Sequence, residues 1–265
     1  MTERVDEQLA EERVTAESVG RVLLITMRRP ERRNAVDAAM TAGLEAAVDR
    51  LEEDPDLWIG VLTGEGPAFC AGADLVAVAG GAADGIMTRR GGFGGLTRRE
   101  RAKPLIAAVE GPAVAGGLEL VLACDLVVAS SAASFGLPEV KRSLLAYAGG
   151  TTRLPKRVPL NLAMELVLTG DPIDATRAYE LGLVNQLCEP GSAVTSAVAM
   201  AERIAENAPL AVRESRLAVL DSLGLDDAEA MRRAARRSAA LAGTEDSKEG
   251  PLAFVEKRPP RWTGR

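Results

Sequence analysis

The chain has 265 residues, 47% hydrophobic and 26% charged, with a formal net charge of −6. That balance fits a globular protein built as one large domain, or one domain with a helical appendage. The acidic total argues against a broad nucleic-acid surface, and the lack of histidine removes Ser-His and Cys-His nucleophiles, the HExxH metal helix and imidazole proton shuttles.

Residues 1–12 are polar and acidic, carry no apolar signal core, and read as a loose segment. Val14–Val19 and Arg21–Met27 pattern as two strands joined at Gly20. MRRPERRN is a loop punctuated by Pro30. Its Arg28, Arg29, Arg32 and Arg33 can serve a phosphorylated ligand or simply face water. Met40, Leu44, Ala47, Val48 and Leu51 recur at helical spacing and predict a helix over 37–53. LWIGVLTG is a buried strand ending at Gly64, and the Gly-rich turn GEGPAFCAGADL follows it. Residues 76–98 hold no sustained period and predict a mobile flap with some helical turns. LIAAVEG, GGLELVLAC and DLVVAS then read as strand, short helix and strand, the order of an α/β domain with crossover connections.

Beyond Thr151 strand signals nearly vanish, which predicts a helical layer against the α/β core. No apolar run reaches the ~18 residues of a membrane span. Cys70, Cys124 and Cys188 lie far apart without a CxxC, so they read as small core residues in a reducing compartment. The expected location is the cytoplasm.

The stretch GPAVAGGLELVLACDLVVAS places one carboxylate, Glu119, in an almost wholly apolar run. A buried charge needs compensation. If the helix begins near Gly116, Glu119 lies in its first turn, where free amides and the positive dipole end favour an anion. That accounts for the charge but not for two glycines, which suit a tight turn or a close approach. AFCAGADL also leaves a strand through a Gly-rich turn. Two such turns could each free one amide for a single oxygen, the geometry of an oxyanion hole. The alternative for AGAD is a tight turn with Asp74 as helix N-cap. In SFGLPEVKR, Pro138 suits a first helical position and Glu139 follows it, as a first-turn acid or as a partner for Glu119.

Taken in order, NAV after a basic loop, AFCAGADL, GPAVAGGLELVLACDLVVAS, FGLPEVKRSLLAYAGGTTRLP and the terminal FVEKR resemble the crotonase (enoyl-CoA hydratase/isomerase) superfamily over nearly the whole chain. The resemblance implies an α/β spiral of ββα units over residues 13–200 and a helical oligomerisation region over 201–265. It implies an enoyl-CoA hydratase acting on an acyl-CoA thioester, with Glu119 and Glu139 as catalytic carboxylates and the amides of Ala73 and Gly116 as the oxyanion hole. It places Arg32, Arg33, Ala35, Ala71, Asp74, Leu75, Phe254 and Lys257 near the coenzyme. Phe93, Leu96 and Tyr147 are the expected acyl-pocket residues, Ala146-Tyr147 standing where many hydratases have Pro-Gly. No metal and no separate cofactor is expected, coenzyme A being part of the substrate, and no nucleic-acid or membrane partner. The expected assembly is a homotrimer, or a hexamer made as a dimer of trimers. Another acyl-CoA lyase, isomerase or dehalogenase on the same scaffold is the nearest alternative, and a non-catalytic acyl-CoA-binding protein is a second. GxGxxG, P-loop and GxSxG motifs are absent, which argues against nucleotide-dependent oxidoreduction and serine hydrolysis.

Overall fold

A computed structural model describes residues 13–79 and 85–265. The loose segment expected at 1–12 lies outside the described residues. β1 (Val14–Val19) and β2 (Val22–Met27) form an antiparallel hairpin through Gly20, whose φ of +57° suits glycine. α1 (Ala38–Glu53) starts at Asp37, whose side chain accepts a 2.8 Å hydrogen bond from Met40 N. Then come β3 (Ile59–Gly64), the short α2 (Leu75–Ala79), a two-stranded hairpin of β4 (Met87–Thr88) and β5 (Gly92–Phe93), and β6 (Leu105–Val109). β7 (Ala113–Val114) leads into α3 (Gly116–Ala123), β8 (Leu126–Ser130) and β9 (Ser134–Gly136), with a 3₁₀ turn over Pro138–Arg142.

The remainder is mainly helical: α4 (Gly150–Arg153), α5 (Leu160–Thr169), β10 (Ile173–Asp174), α6 (Ala175–Glu180), β11 (Gln186–Cys188), α7 (Ala193–Ala205), α8 (Pro209–Ser222), α9 (Asp227–Leu241) and α10 (Glu245–Val255). The two short strands after Thr151 depart from the expectation of an almost purely helical half. They are too brief for an alternating pattern to mark them in the sequence.

The main sheet has the order β1-β2-β3-β6-β8-β11, parallel from β2 onward. Parallel neighbours require crossovers, supplied by α1 between β2 and β3 and by α3 between β6 and β8. Helices cover both faces. Val22, Ile59, Val61, Ile106, Ala108 and Val128 pack against Ala193, Ala197 and Ala201 of α7. The alternate residues, among them Leu23, Ile25, Leu62, Leu105 and Val127, face the larger core with α1 and α3. Aliphatic and alanine side chains fill the space that scarce aromatics leave. A second sheet, β10-β9-β7, stands apart and carries the site described below.

The segment expected as a mobile flap is not loose over residues 85–98. It is a packed hairpin and turn with Phe93, Leu96 and Thr97 buried. Its glycines permit positive φ at Gly92, Gly94 and Gly95, and the two apolar side chains anchor the result. Among the described residues no helix is long and apolar enough to cross a membrane.

Candidate active site

Two Gly-rich turns are stitched together at the edge of the small sheet. Cys70 bridges Ala113 in parallel, Val114 N donates to the Cys70 carbonyl at 3.0 Å, and Cys70 N donates to the Pro112 carbonyl at 3.3 Å. The approach is so close that a Cβ on Gly117 would lie 2.0 Å from the Cys70 oxygen. A Cβ on Gly116 would lie 2.5 Å from the Phe93 ring, and one on Gly72 would lie 3.0 Å from Gly116 N. Both glycines of the AGG turn are therefore required by contact.

Ala115, just before them, has φ 52° and ψ −129°, a backbone state that costs a non-glycine residue about 1–3 kcal/mol. That turn sets Gly116 as the first residue of α3, where an N–H has no intrahelical acceptor. In the other turn, Val36 bridges Ala73 using only the flanking groups: Val36 N donates to the Gly72 carbonyl and Asp74 N to the Val36 carbonyl. The N–H of Ala73 is left on the opposite edge. Among the described residues neither Ala73 N nor Gly116 N donates a hydrogen bond, while Gly72 packs against Ala115 and Gly116. Two such amides can receive one oxyanion.

The carboxylates meet because of strand pairing. β9 runs parallel to β7, with Ala113 opposite Phe135 and Val114 opposite Gly136, and Ala115 N donates to the Gly136 carbonyl at 2.9 Å. The 3₁₀ turn with Glu139 thus arrives beside the start of α3, which carries Glu119. Glu119 is 4% exposed, and its Oε1 accepts from Gly150 N at 2.9 Å. Glu139 is 9% exposed, and its Oε2 is buried without a hydrogen-bond partner.

Burial pushes the Glu139 carboxyl up to about 7; the charge of Glu119 adds to the rise, against its own backbone amide and Arg142. Burial also raises Glu119, opposed by the amides of Gly150 and Ala148 and by the Arg153 guanidinium. Such a pair can hold one proton near neutrality with the second group ionised, the condition for one acid and one base in the same site.

The other expected residues fall in several places. Arg32 and Arg33 are exposed, Ala35 is buried, and Ala71 N donates to the Arg33 carbonyl at 3.0 Å, so the basic loop and the AGAD turn are neighbours. Asp74 pairs with Arg29 at 2.7 Å and accepts from Val76 N at 3.0 Å, close to its alternative as a local cap. Leu75 is exposed. Phe254 is 85% exposed at the end of α10, with Lys257 just beyond in a left-handed turn. Phe93 covers Gly116, whereas Leu96 sits in the core near the far end of α3 and Tyr147 is 58% exposed. Among the described residues no cluster of Cys, Asp or Glu is arranged to hold a metal ion.

The sequence alone assigns no role to Asn34 or Arg153 and offers Arg29 only as part of the basic loop. Asn34 is fully buried; its Nδ2 donates to the carbonyls of Glu65, Ala68 and Phe69, and its Oδ1 accepts from Arg29 N. It ties the basic loop to the strand end before AGAD, and the NAV triplet was its signal. Arg153 donates to the carbonyls of Ala148 and Thr97, fastening the Gly149-Gly150 loop to the hairpin that covers Gly116. Arg29 braces Asp74 and the Ala35 carbonyl. Arg153 has no local motif.

A family model described as enoyl-CoA hydratase/isomerase matches residues 17–265. The chain is 39% identical over 252 residues to enoyl-CoA hydratase EchA19 of Mycobacterium tuberculosis, covering 93% of this chain and 94% of that one. It is 39% identical over 253 residues to (E)-benzylidenesuccinyl-CoA hydratase of Thauera aromatica, covering 95% and 99%. A crystal structure of an enoyl-CoA hydratase from M. tuberculosis H37Rv superposes with a TM-score of 0.93 at 48% identity, covering 96% of this chain and all of that one.

Proposed function

The chain belongs to the enoyl-CoA hydratase/isomerase family, and on that premise we propose that it is an enoyl-CoA hydratase, adding water syn across a trans-2-enoyl-CoA to give a 3-hydroxyacyl-CoA. Water attack at the β-carbon moves negative charge onto the thioester oxygen. The amides of Ala73 and Gly116 receive that charge, and losing one such donor typically costs about 2.7–4 kcal/mol in the barrier. Glu119, held by Gly150 N, takes a proton from the water. Glu139, whose carboxyl burial pushes up to about 7, delivers a proton to the α-carbon. What supports this reading is that Glu119 and Glu139, both buried, interact electrostatically near the head of α3, whose first amide, Gly116 N, like Ala73 N, donates no hydrogen bond among the described residues.

The acyl group enters as its coenzyme A thioester, so no separate cofactor is needed. Arg32, Arg33, Ala35, the backbone of residues 71–75, Lys257 and Phe254 contact the coenzyme in this reading, and Phe93 and Tyr147 shape the acyl side; Leu96, expected there, is instead buried in the core near the far end of α3. The protein works in the cytoplasm as a homotrimer or a dimer of trimers. Exposed Val219 on α8 and Met231 on α9 support an assembly that covers them. The test is to incubate the protein with crotonyl-CoA and longer trans-2-enoyl-CoAs and follow loss of the conjugated absorbance. Turnover to a 3-hydroxyacyl product is expected; binding without turnover, or a shifted double bond, overturns the assignment.

A further inference from the structure

α3 has a second end. Eight residues, roughly 12 Å, from Gly116, its C-terminal turn opens on a cavity of about 230 Å³, many times the about 10–15 Å³ that one water needs. Six cationic side chains line it, Arg99, Arg101, Arg153, Lys156, Arg157 and Arg216, against one carboxylate, Asp125. Asp125 is already neutralised, by Arg101 at 2.7 Å and Arg216 at 2.8 Å. Arg101 and Arg157 also donate to the Ala123 and Cys124 carbonyls, which accounts for the helix end and its roughly half negative charge. Arg99 pairs with Asp49, yet its Nε is buried with no partner. Lys156 is exposed and forms no ion pair among the described residues. Positive charge remains in excess after every one of these partners is counted.

The cations also strain against each other. Burial lowers Arg153 and Arg216; the guanidiniums of Arg157 and Arg101 lower Arg153 further and that of Arg101 lowers Arg216, while the carboxylates of Glu119 and Asp125 act in the opposite direction on Arg153 and Arg216 respectively. Fork-shaped guanidinium donors around a central space match a planar or tetrahedral oxyanion. We propose that this cavity is a binding site for a small oxyanion of the phosphate class, separate from the carboxylate pair at the other end of α3. The site is defined by charge and shape alone and does not depend on the hydratase reading.

The test is calorimetric titration of the purified protein with potassium phosphate, against potassium chloride at matched ionic strength. Saturable binding of phosphate alone is expected, weakened at least tenfold in Lys156→Glu, a surface substitution that should leave the thermal unfolding midpoint in chloride unchanged. Arg157→Gln, checked for fold by circular dichroism, should weaken binding similarly. Coenzyme A titrated with and without saturating phosphate tells the source: competition assigns the oxyanion to the coenzyme's own phosphates, and independence assigns it to a free anion. Phosphate binding no tighter than chloride, or undiminished in Lys156→Glu, would overturn the proposal.

Discussion

Replacing Glu139 with glutamine should make the protein more stable in mild base while it slows turnover. In the folded chain the Glu139 carboxyl titrates at about 7 rather than 4.5, chiefly because burial penalises its charged form. Below pH 4.5 folded and unfolded chains both carry the proton, and the group contributes no difference. Between 4.5 and about 7 the unfolded chain ionises while the folded one stays protonated, so stability is lost progressively as pH rises. Above about 7 the full difference is reached. At about 1.4 kcal/mol per pH unit it amounts to about 3 kcal/mol.

Glutamine does not titrate, and the cost of its own imperfect hydrogen bonding is the same at either pH. The informative quantity is therefore the change with pH. Urea unfolding, followed by the fluorescence of Trp58 and Trp262 at one protein concentration, should be measured at pH 4.5 and pH 8 for both proteins. The variant should gain about 3 kcal/mol relative to wild type between the two. A gap that stays constant to within about 0.5 kcal/mol would refute the claim that Glu139 is buried at a penalty to its charge.

The pH profile of kcat/KM for crotonyl-CoA should fall as pH rises through about 7, where Glu139 loses its proton, and Glu139→Gln should abolish that limb. Glu119→Gln should lower kcat by about 10²–10⁴ with little change in KM; near-normal turnover would remove Glu119 from water activation. Gly117→Ala must move the Cys70 carbonyl, only 2.0 Å from the new Cβ, and so part the two turns. A kcat loss of about 10²–10³, the value of one oxyanion donor, is expected, and steady-state kinetics on the folded variant check it. Lys257→Glu should raise KM for the thioester several-fold without lowering kcat, and an unchanged KM would take Lys257 away from the coenzyme.

Much of the architecture could be read from spacing. The apolar rhythm of Met40, Leu44 and Leu51 marked α1, and the buried runs at 59–64 and 105–109 marked central strands, because burial on one face or both leaves a pattern a few residues long. The site was legible only in pieces. The glycine pair announced a close approach, but the atom approached, the Cys70 carbonyl, lies 47 residues earlier in the chain. The pairing of β9 on β7 that delivers Glu139 involves two residues of each strand, too few to carry a pattern. Residues 85–98 looked loose because glycine is frequent there; the burial of Phe93 and Leu96 outweighs that local freedom. Asn34 reaches carbonyls 31 to 35 positions on and Arg153 one 56 positions back, contacts to which no periodicity points.

The turns that present Ala73 and Gly116 are joined to each other through Cys70, while Glu139 follows a separate strand, β9, hydrogen-bonded to the second of those turns. Glu119 shares α3 with the Gly116 amide, whereas Glu139 arrives on a different strand and turn. Substitutions on the Pro138–Arg142 turn can retool the reaction while the anchor that seats the reactant stays untouched. A scaffold divided in this way can diversify its chemistry one carboxylate at a time.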